Sequence, residues 1–140
     1  MLKPKLTAGN GRRFRLLVVD DQEEMRSALY RMLTLEGFEV ILAASGSRAL
    51  ELLNTAFFDL ALLDVHMPDM DGFALLEKIR ERPESLTLPV IMVTGAGDTE
   101  SVLSGKKLGV SDYLVKPYRM AGLLSRVERC LMSVGQLAKS

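Results

Sequence analysis

Five short apolar runs, four of which stop abruptly at a polar residue, limit what this chain can fold into. Leu16-Leu17-Val18-Val19 stops at Asp20-Asp21, and Leu60-Ala61-Leu62-Leu63 stops at Asp64. Val90-Ile91-Met92-Val93 stops at Thr94, and Tyr113-Leu114-Val115 stops at Lys116-Pro117. A further run covers residues 38–44. Continuous runs of this length read as strands buried on both faces. Helical spacing lies between them. It is clear at Met25, Ala28, Leu29, Met32 and Leu33, at Ala49, Leu50, Leu52 and Leu53, and at Phe73, Leu76 and Ile79. It is clear again at Met120, Leu123, Leu124, Val127, Leu131 and Val134. The fourth expected helix follows Asp98 and is the thinnest. Its apolar stripe is Val102, Leu103 and Leu108, and Gly105 interrupts it at a cost of about 1 kcal/mol relative to Ala. Gly37 suits the residue after the first helix, Ser45 suits the N-cap of the second, and Asp69 or Asp71 suits that of the third. Strands and helices in alternation predict an α/β fold, a doubly wound five-stranded parallel sheet covered on both faces.

At 140 residues a single domain is expected. The sequence predicts a flexible N-terminal tail over residues 1–14, a domain over 15–135 and a C-terminal tail over 136–140. Lys3, Lys5, Arg12 and Arg13 lie among Pro4, Gly9 and Gly11 in the first of these. Eighteen basic and eighteen acidic side chains cancel, so no direct nucleic-acid binding is expected. No apolar run approaches the roughly 20 residues of a membrane helix. A basic N-terminus without an apolar core is not a signal peptide. The lone Cys130 excludes an internal disulfide, and a cytoplasmic setting is expected. Cys130 itself reads as inert packing.

In a parallel sheet all strand ends of one kind share one rim, and ligands sit there. The rim predicted here collects Asp20, Asp21, Asp64, Thr94 and Lys116. Crowded carboxylates repel unless a proton or a cation intervenes. Hard oxygen donors with room for water suit Mg²⁺. A lysine and a threonine hydroxyl can each engage a phosphate oxygen. The set suits transfer of a phosphoryl group onto Asp64, since carboxylates are covalent acceptors in such chemistry.

These motifs together resemble the receiver domains of two-component response regulators, including chemotaxis regulators. They are Val-Val-Asp20-Asp21, Leu-Leu-Asp64-Val-His-Met-Pro-Asp-Met-Asp-Gly72, Val-Thr94-Gly-Ala and Asp112-Tyr113-Leu-Val-Lys116-Pro117. The resemblance spans about residues 15–134. It implies a flavodoxin-like (βα)5 fold with strand order 2-1-3-4-5. It implies that Asp64 takes a phosphoryl group from a histidine kinase or a phosphotransfer protein. Asp21, Asp64 and the His66 carbonyl would ligate Mg²⁺, with Asp20 acting mainly through water. Lys116 would hold a phosphoryl oxygen, and its bond to Pro117 would be cis. Thr94 and Tyr113 would be switch residues. They would bias the surface of the fourth helix, fifth strand and fifth helix toward a downstream partner or a second copy. The residues His66 and Ala96 would tune dephosphorylation. The implied protein is a phosphorylation switch with at most weak self-dephosphorylation, not otherwise an enzyme.

Each residue also has a plainer reading. Acids at strand ends cap turns, Lys116 alone is a surface lysine, Thr94 alone is a helix-entry residue, and Tyr113 is packing. The side chain of His66 has no His or Cys at metal-ligand spacing and reads as solvent-exposed. A haloacid-dehalogenase-type phosphatase needs a second acid two residues after the nucleophile, where this chain has His66. A nucleotide or flavin binder needs a Gly-rich loop after the first strand, where this chain has Asp20-Asp21-Gln22-Glu23-Glu24. A receiver acting only as a scaffold would not need the complete acidic set.

Overall fold

The computed structural model of the chain describes residues 7–95 and 108–133. The five apolar runs are strands β1 (Arg15–Val19), β2 (Glu39–Ala43), β3 (Leu60–Asp64), β4 (Val90–Gly95) and β5 (Asp112–Lys116). The helices are α1 (Glu23–Leu35), α2 (Gly46–Thr55), α3 (Gly72–Arg80) and the C-terminal α4 (Met120–Ser133). The helix expected after Asp98, with Val102, Leu103 and Gly105, lies outside the described residues, as do Ala96 and Val134. The strands form one parallel sheet in the order β2-β1-β3-β4-β5.

Strand alternation divides the core in two. Leu16, Val18, Leu60, Leu62, Ile91 and Val93 point to one face, where they meet Leu29 and Leu33 of α1 and Leu123, Val127 and Leu131 of α4. Leu17, Val19, Ala61, Leu63, Val90 and Met92 point to the other, against Ala49 of α2 and Leu75, Leu76 and Ile79 of α3. The central strand β3 is buried along its whole length, Asp64 included. That is why its sequence is continuously apolar rather than alternating.

The helix ends follow local chemistry. Ser45 Oγ accepts the Arg48 N–H at 3.1 Å and caps α2. Asp71, not Asp69, caps α3 by accepting the Ala74 N–H at 2.8 Å. After α1, Gly37 adopts φ 95°, its N–H donates to Thr34 O, and the Phe38 N–H donates to Leu33 O. This pair of bonds satisfies two orphaned carbonyls and needs a residue that tolerates the left-handed region.

Residues 8–14 correct the expectation of a solvated tail. Ala8 and Phe14 are buried in the first core cluster. Arg12 forms two bonds to Asp59, to Oδ2 at 2.8 Å and to Oδ1 at 2.7 Å. Phe14 is too large an apolar group to leave in water when β1 begins beside it. Residues 1–6 lie outside the described ones.

Candidate functional site

The topology delivers the polar strand ends to one rim. Asp64 is the last residue of β3, and Asp20 directly follows β1, the neighbouring strand. Lys116 ends β5, two strands away from β3, and its long side chain reaches past the end of β4. There its Nζ lies 3.2 Å from Asp64 Oδ2. The other carboxylate oxygen of Asp64, Oδ1, accepts the His66 N–H at 3.2 Å. The Lys116–Pro117 peptide bond is cis.

Asp20, Asp21 and Asp64 each offer one oxygen, and these three oxygens lie within 4.8 Å of one another. Asp20 and Asp64 are buried and Asp21 is exposed, so the cluster has a dry floor and a wet mouth. Asp20 Oδ1 accepts the Gln22 N–H at 2.9 Å. Burial, together with the charge of Asp64, pushes the Asp20 carboxyl above its ordinary range despite that bond. Three convergent hard oxygens, one of them facing water, fit a small divalent cation such as Mg²⁺ better than a soft metal.

Thr94 is buried at the end of β4. In the ladder Asp64 pairs with Val93, so Thr94 stands one step further along the neighbouring strand. By strand alternation it shares a face with Val90 and Met92, whereas Asp64 shares one with Leu60 and Leu62. The structure thus brings Asp20, Asp21, Asp64 and Lys116 together and sets Thr94 at the same rim on the opposite face. Tyr113 is half-buried and packs against the second core cluster, and burial raises its phenol pKa. The side chain of His66 is exposed. Cys130 is buried on α4, and burial is the main cause that pushes its thiol up to about 11.

Two residues near the site escaped the sequence reading. Arg26, on α1, donates from Nη1 to the Asp20 carbonyl oxygen at 2.8 Å and ties the helix to the acid-bearing turn. Tyr118 follows Lys116-Pro117 and packs against the first core cluster. Burial, with the charges of Asp20 and Asp64, pushes its phenol up to about 12. The only signal for Tyr118 was its place two residues after Lys116. For Arg26 there was none, because its partner is a backbone atom.

The turn after Asp64 leaves no room for a side chain at Gly72. A Cβ there would lie 2.5 Å from the Asp64 carbonyl oxygen and 2.7 Å from Met92 Cε. Gly72→Ala should therefore destabilise the fold by about 1–3 kcal/mol, read as a lower urea midpoint. An unchanged midpoint would mean the turn yields freely.

The response regulator receiver domain family model matches residues 16–128. The chain belongs to this family. Response regulator receiver domains belong to two-component systems and act as phosphorylation switches rather than as ordinary enzymes. The receiver is 40% identical over 117 residues to the transcriptional regulatory protein CpxR of Escherichia coli K12, covering 84% of this chain and 49% of CpxR. It thus spans about half the length of the curated relatives it matches. It superposes on the chemotaxis protein CheY4 of Vibrio cholerae with a TM-score of 0.82 at 34% identity, covering 85% of this chain and 99% of that one. A CheY-like receiver domain protein from Methanospirillum hungatei gives a TM-score of 0.80 at 34% identity, covering 86% and 95%. The flavodoxin-like order 2-1-3-4-5 of the receiver agrees with these neighbours. Among the described residues no helix is long and apolar enough to cross a membrane.

Asp20 gives the receiver a testable pH dependence. Its folded-state pKa is raised, so the native state holds the proton more tightly than the unfolded chain does. The charged form therefore costs stability at neutral pH, and that cost is relieved as pH falls through the raised value. Asp20→Asn should raise the urea midpoint at neutral pH without divalent cations, and the gain should shrink on acidification. A gain that persists unchanged at acid pH would contradict this.

Proposed function

We propose that Asp64 is the phosphoryl acceptor of this receiver. The donor is a phosphohistidine of a histidine kinase or of a phosphotransfer protein. The observation that carries this reading is the 3.2 Å contact of Lys116 Nζ with Asp64 Oδ2 beside the acidic cluster. A buried carboxylate with one oxygen on a lysine and the other on a backbone N–H is held in one orientation. An Asp64 oxygen forms the new bond to phosphorus, and the donor P–N bond breaks with its electron pair staying on the imidazole nitrogen. The ammonium of Lys116 then faces the added negative charge, and the Thr94 hydroxyl moves from the other face of the neighbouring strand's end to donate to it.

Asp20, Asp21 and Asp64, with the backbone carbonyl of His66, would hold Mg²⁺. When bound, the ion neutralises charge on the acceptor and on the incoming group. Thr94 and Tyr113 carry the change to the exposed surface of β5 and α4. That surface engages a downstream partner or a second copy. Turning such a switch from mostly off to mostly on takes roughly 5 kcal/mol of differential interaction. Hydrolysis of the acyl phosphate is slow and resets the domain. The switch works in the cytoplasm. Where a longer regulator contains this receiver, DNA contact belongs to another part of that protein.

Incubation with Mg²⁺ and acetyl phosphate tests the reading. Intact-mass measurement should find one added phosphoryl group, lost when a chelator is present from the start. No adduct with acetyl phosphate or any other small phosphodonor would overturn it.

A further inference from the structure

The segment between β3 and α3 forms an arch whose neck is closed by its own backbone. The Gly72 N–H donates to Val65 O at 2.8 Å, and the His66 N–H donates to Asp64 Oδ1 at 3.2 Å. The far side of the arch rests on another element, the N-terminus of α2. Asp69 Oδ1 accepts the Gly46 N–H at 3.3 Å, and Asp69 Oδ2 accepts the Ser47 N–H and the Ser47 hydroxyl, both at 3.1 Å. These N–H groups are orphans of the first helical turn, and a carboxylate there also meets the positive end of the helix dipole. Burial works against the Asp69 charge, yet the bonds from Ser47 and Gly46 outweigh it and hold its carboxyl below the ordinary range. A second contact lies beside the first. Met70 packs so closely on Gly46 that a Cβ there would lie 2.5 Å from Met70 Cγ.

α2 therefore caps its own N-terminus with Ser45 and lends three further donors, two backbone N–H groups and the Ser47 hydroxyl, to a loop that is not its own. Asp69 lies only three residues after His66, within the same short arch. The Asp69 bonds that tie the far side of this arch to another element end on α2. Without them the arch would keep its neck and lose its seat.

We infer that Asp69 is a positioning residue which, by latching the 65–71 arch to α2, sets the His66 backbone for the divalent cation. This inference rests on the acceptor-site reading above. It makes the start of α2 a remote determinant of cation affinity. Partners that order a ligand commonly change metal affinity by about tenfold or more when removed.

The test measures Mg²⁺ affinity by titration calorimetry, together with thermal stability, in the full chain. Asp69→Ala should weaken Mg²⁺ binding about tenfold. Asp69→Asn keeps one of the two acceptor oxygens without the charge and should recover part of the affinity. Gly46→Ala, which pushes Met70 from the other side, should also weaken binding. Ser45→Ala removes the helix's own cap and leaves the arch alone, so it should lower stability without changing affinity. Wild-type affinity in Asp69→Ala would overturn the latch, as would an equal loss in Asp69→Asn, which would point to charge alone. An equal loss in Ser45→Ala would reduce the effect to helix stability and overturn it as well. Absence of Mg²⁺ binding in the wild type would instead overturn the acceptor-site reading.

Discussion

Asp64→Asn should leave the chain folded and remove phosphoryl labelling by acetyl phosphate completely. An amide oxygen is a poor nucleophile and cannot form a stable acyl phosphate, so the loss is total rather than partial. Asp20 and Asp21 remain close by, with oxygens within the same 4.8 Å cluster, and either could accept a misdirected phosphoryl group. Neither is paired with Lys116 among the described contacts, whereas Asp64 is, at 3.2 Å. The fold should tolerate the change, because asparagine has the same shape and keeps an acceptor for the His66 N–H. Lys116 stays 29% exposed and finds water once its partner is neutral. Intact mass after incubation with Mg²⁺ and acetyl phosphate checks the labelling, and a urea melt checks the fold. A phosphoryl adduct that survives the substitution would move the acceptor elsewhere.

Arg12→Ala should destabilise the domain by about 2–3 kcal/mol. The reason lies in Asp59, which is fully buried just before β3. Its carboxylate is satisfied by both terminal nitrogens of Arg12 and by the Arg15 N–H at 2.8 Å. Truncating Arg12 leaves a buried charge with one backbone donor. That is the costly way to break an ion pair, because the remaining charge stays dry. The Arg12 side chain is 41% exposed, so water partly replaces it and the loss stays below the full penalty of a deeply buried pair. Its guanidinium also lies 5.8 Å above the Phe57 ring, a small further contribution. In an Asp59→Asn background the same truncation should cost well under half as much, since the orphaned group is then neutral. Urea unfolding of the four proteins of this cycle measures the coupling. Additive effects would show that Arg12 acts through packing and not through Asp59.

Much of the site was legible in the chain because a buried parallel strand has nowhere to keep a polar residue except its ends. Asp20, Asp64, Thr94 and Lys116 stood out against apolar neighbours for that reason, and the alternation of strands and helices then placed them on one rim. Arg12 and Asp59 were illegible for the opposite reason. Forty-seven positions separate them, Arg12 sits among Gly and basic residues, and Asp59 looks like any acid in a turn. Phe14 was the one hint that the segment before β1 packs. Asp69 and Asp71 looked equally able to cap α3, and only the fold sends one to α3 and the other to α2. Arg26 could not be found at all, since a bond to the Asp20 carbonyl depends on how α1 leaves β1.

If these strand ends converge to place a phosphoryl group on one carboxylate, one residue carries the label. Reduction of the labelled protein with borohydride converts an acyl phosphate into an alcohol, and peptide mapping then locates the reduced residue. A single reduced position, Asp64, is expected. Reduction at Asp20 or Asp21, or labelling that borohydride does not touch, would contradict it.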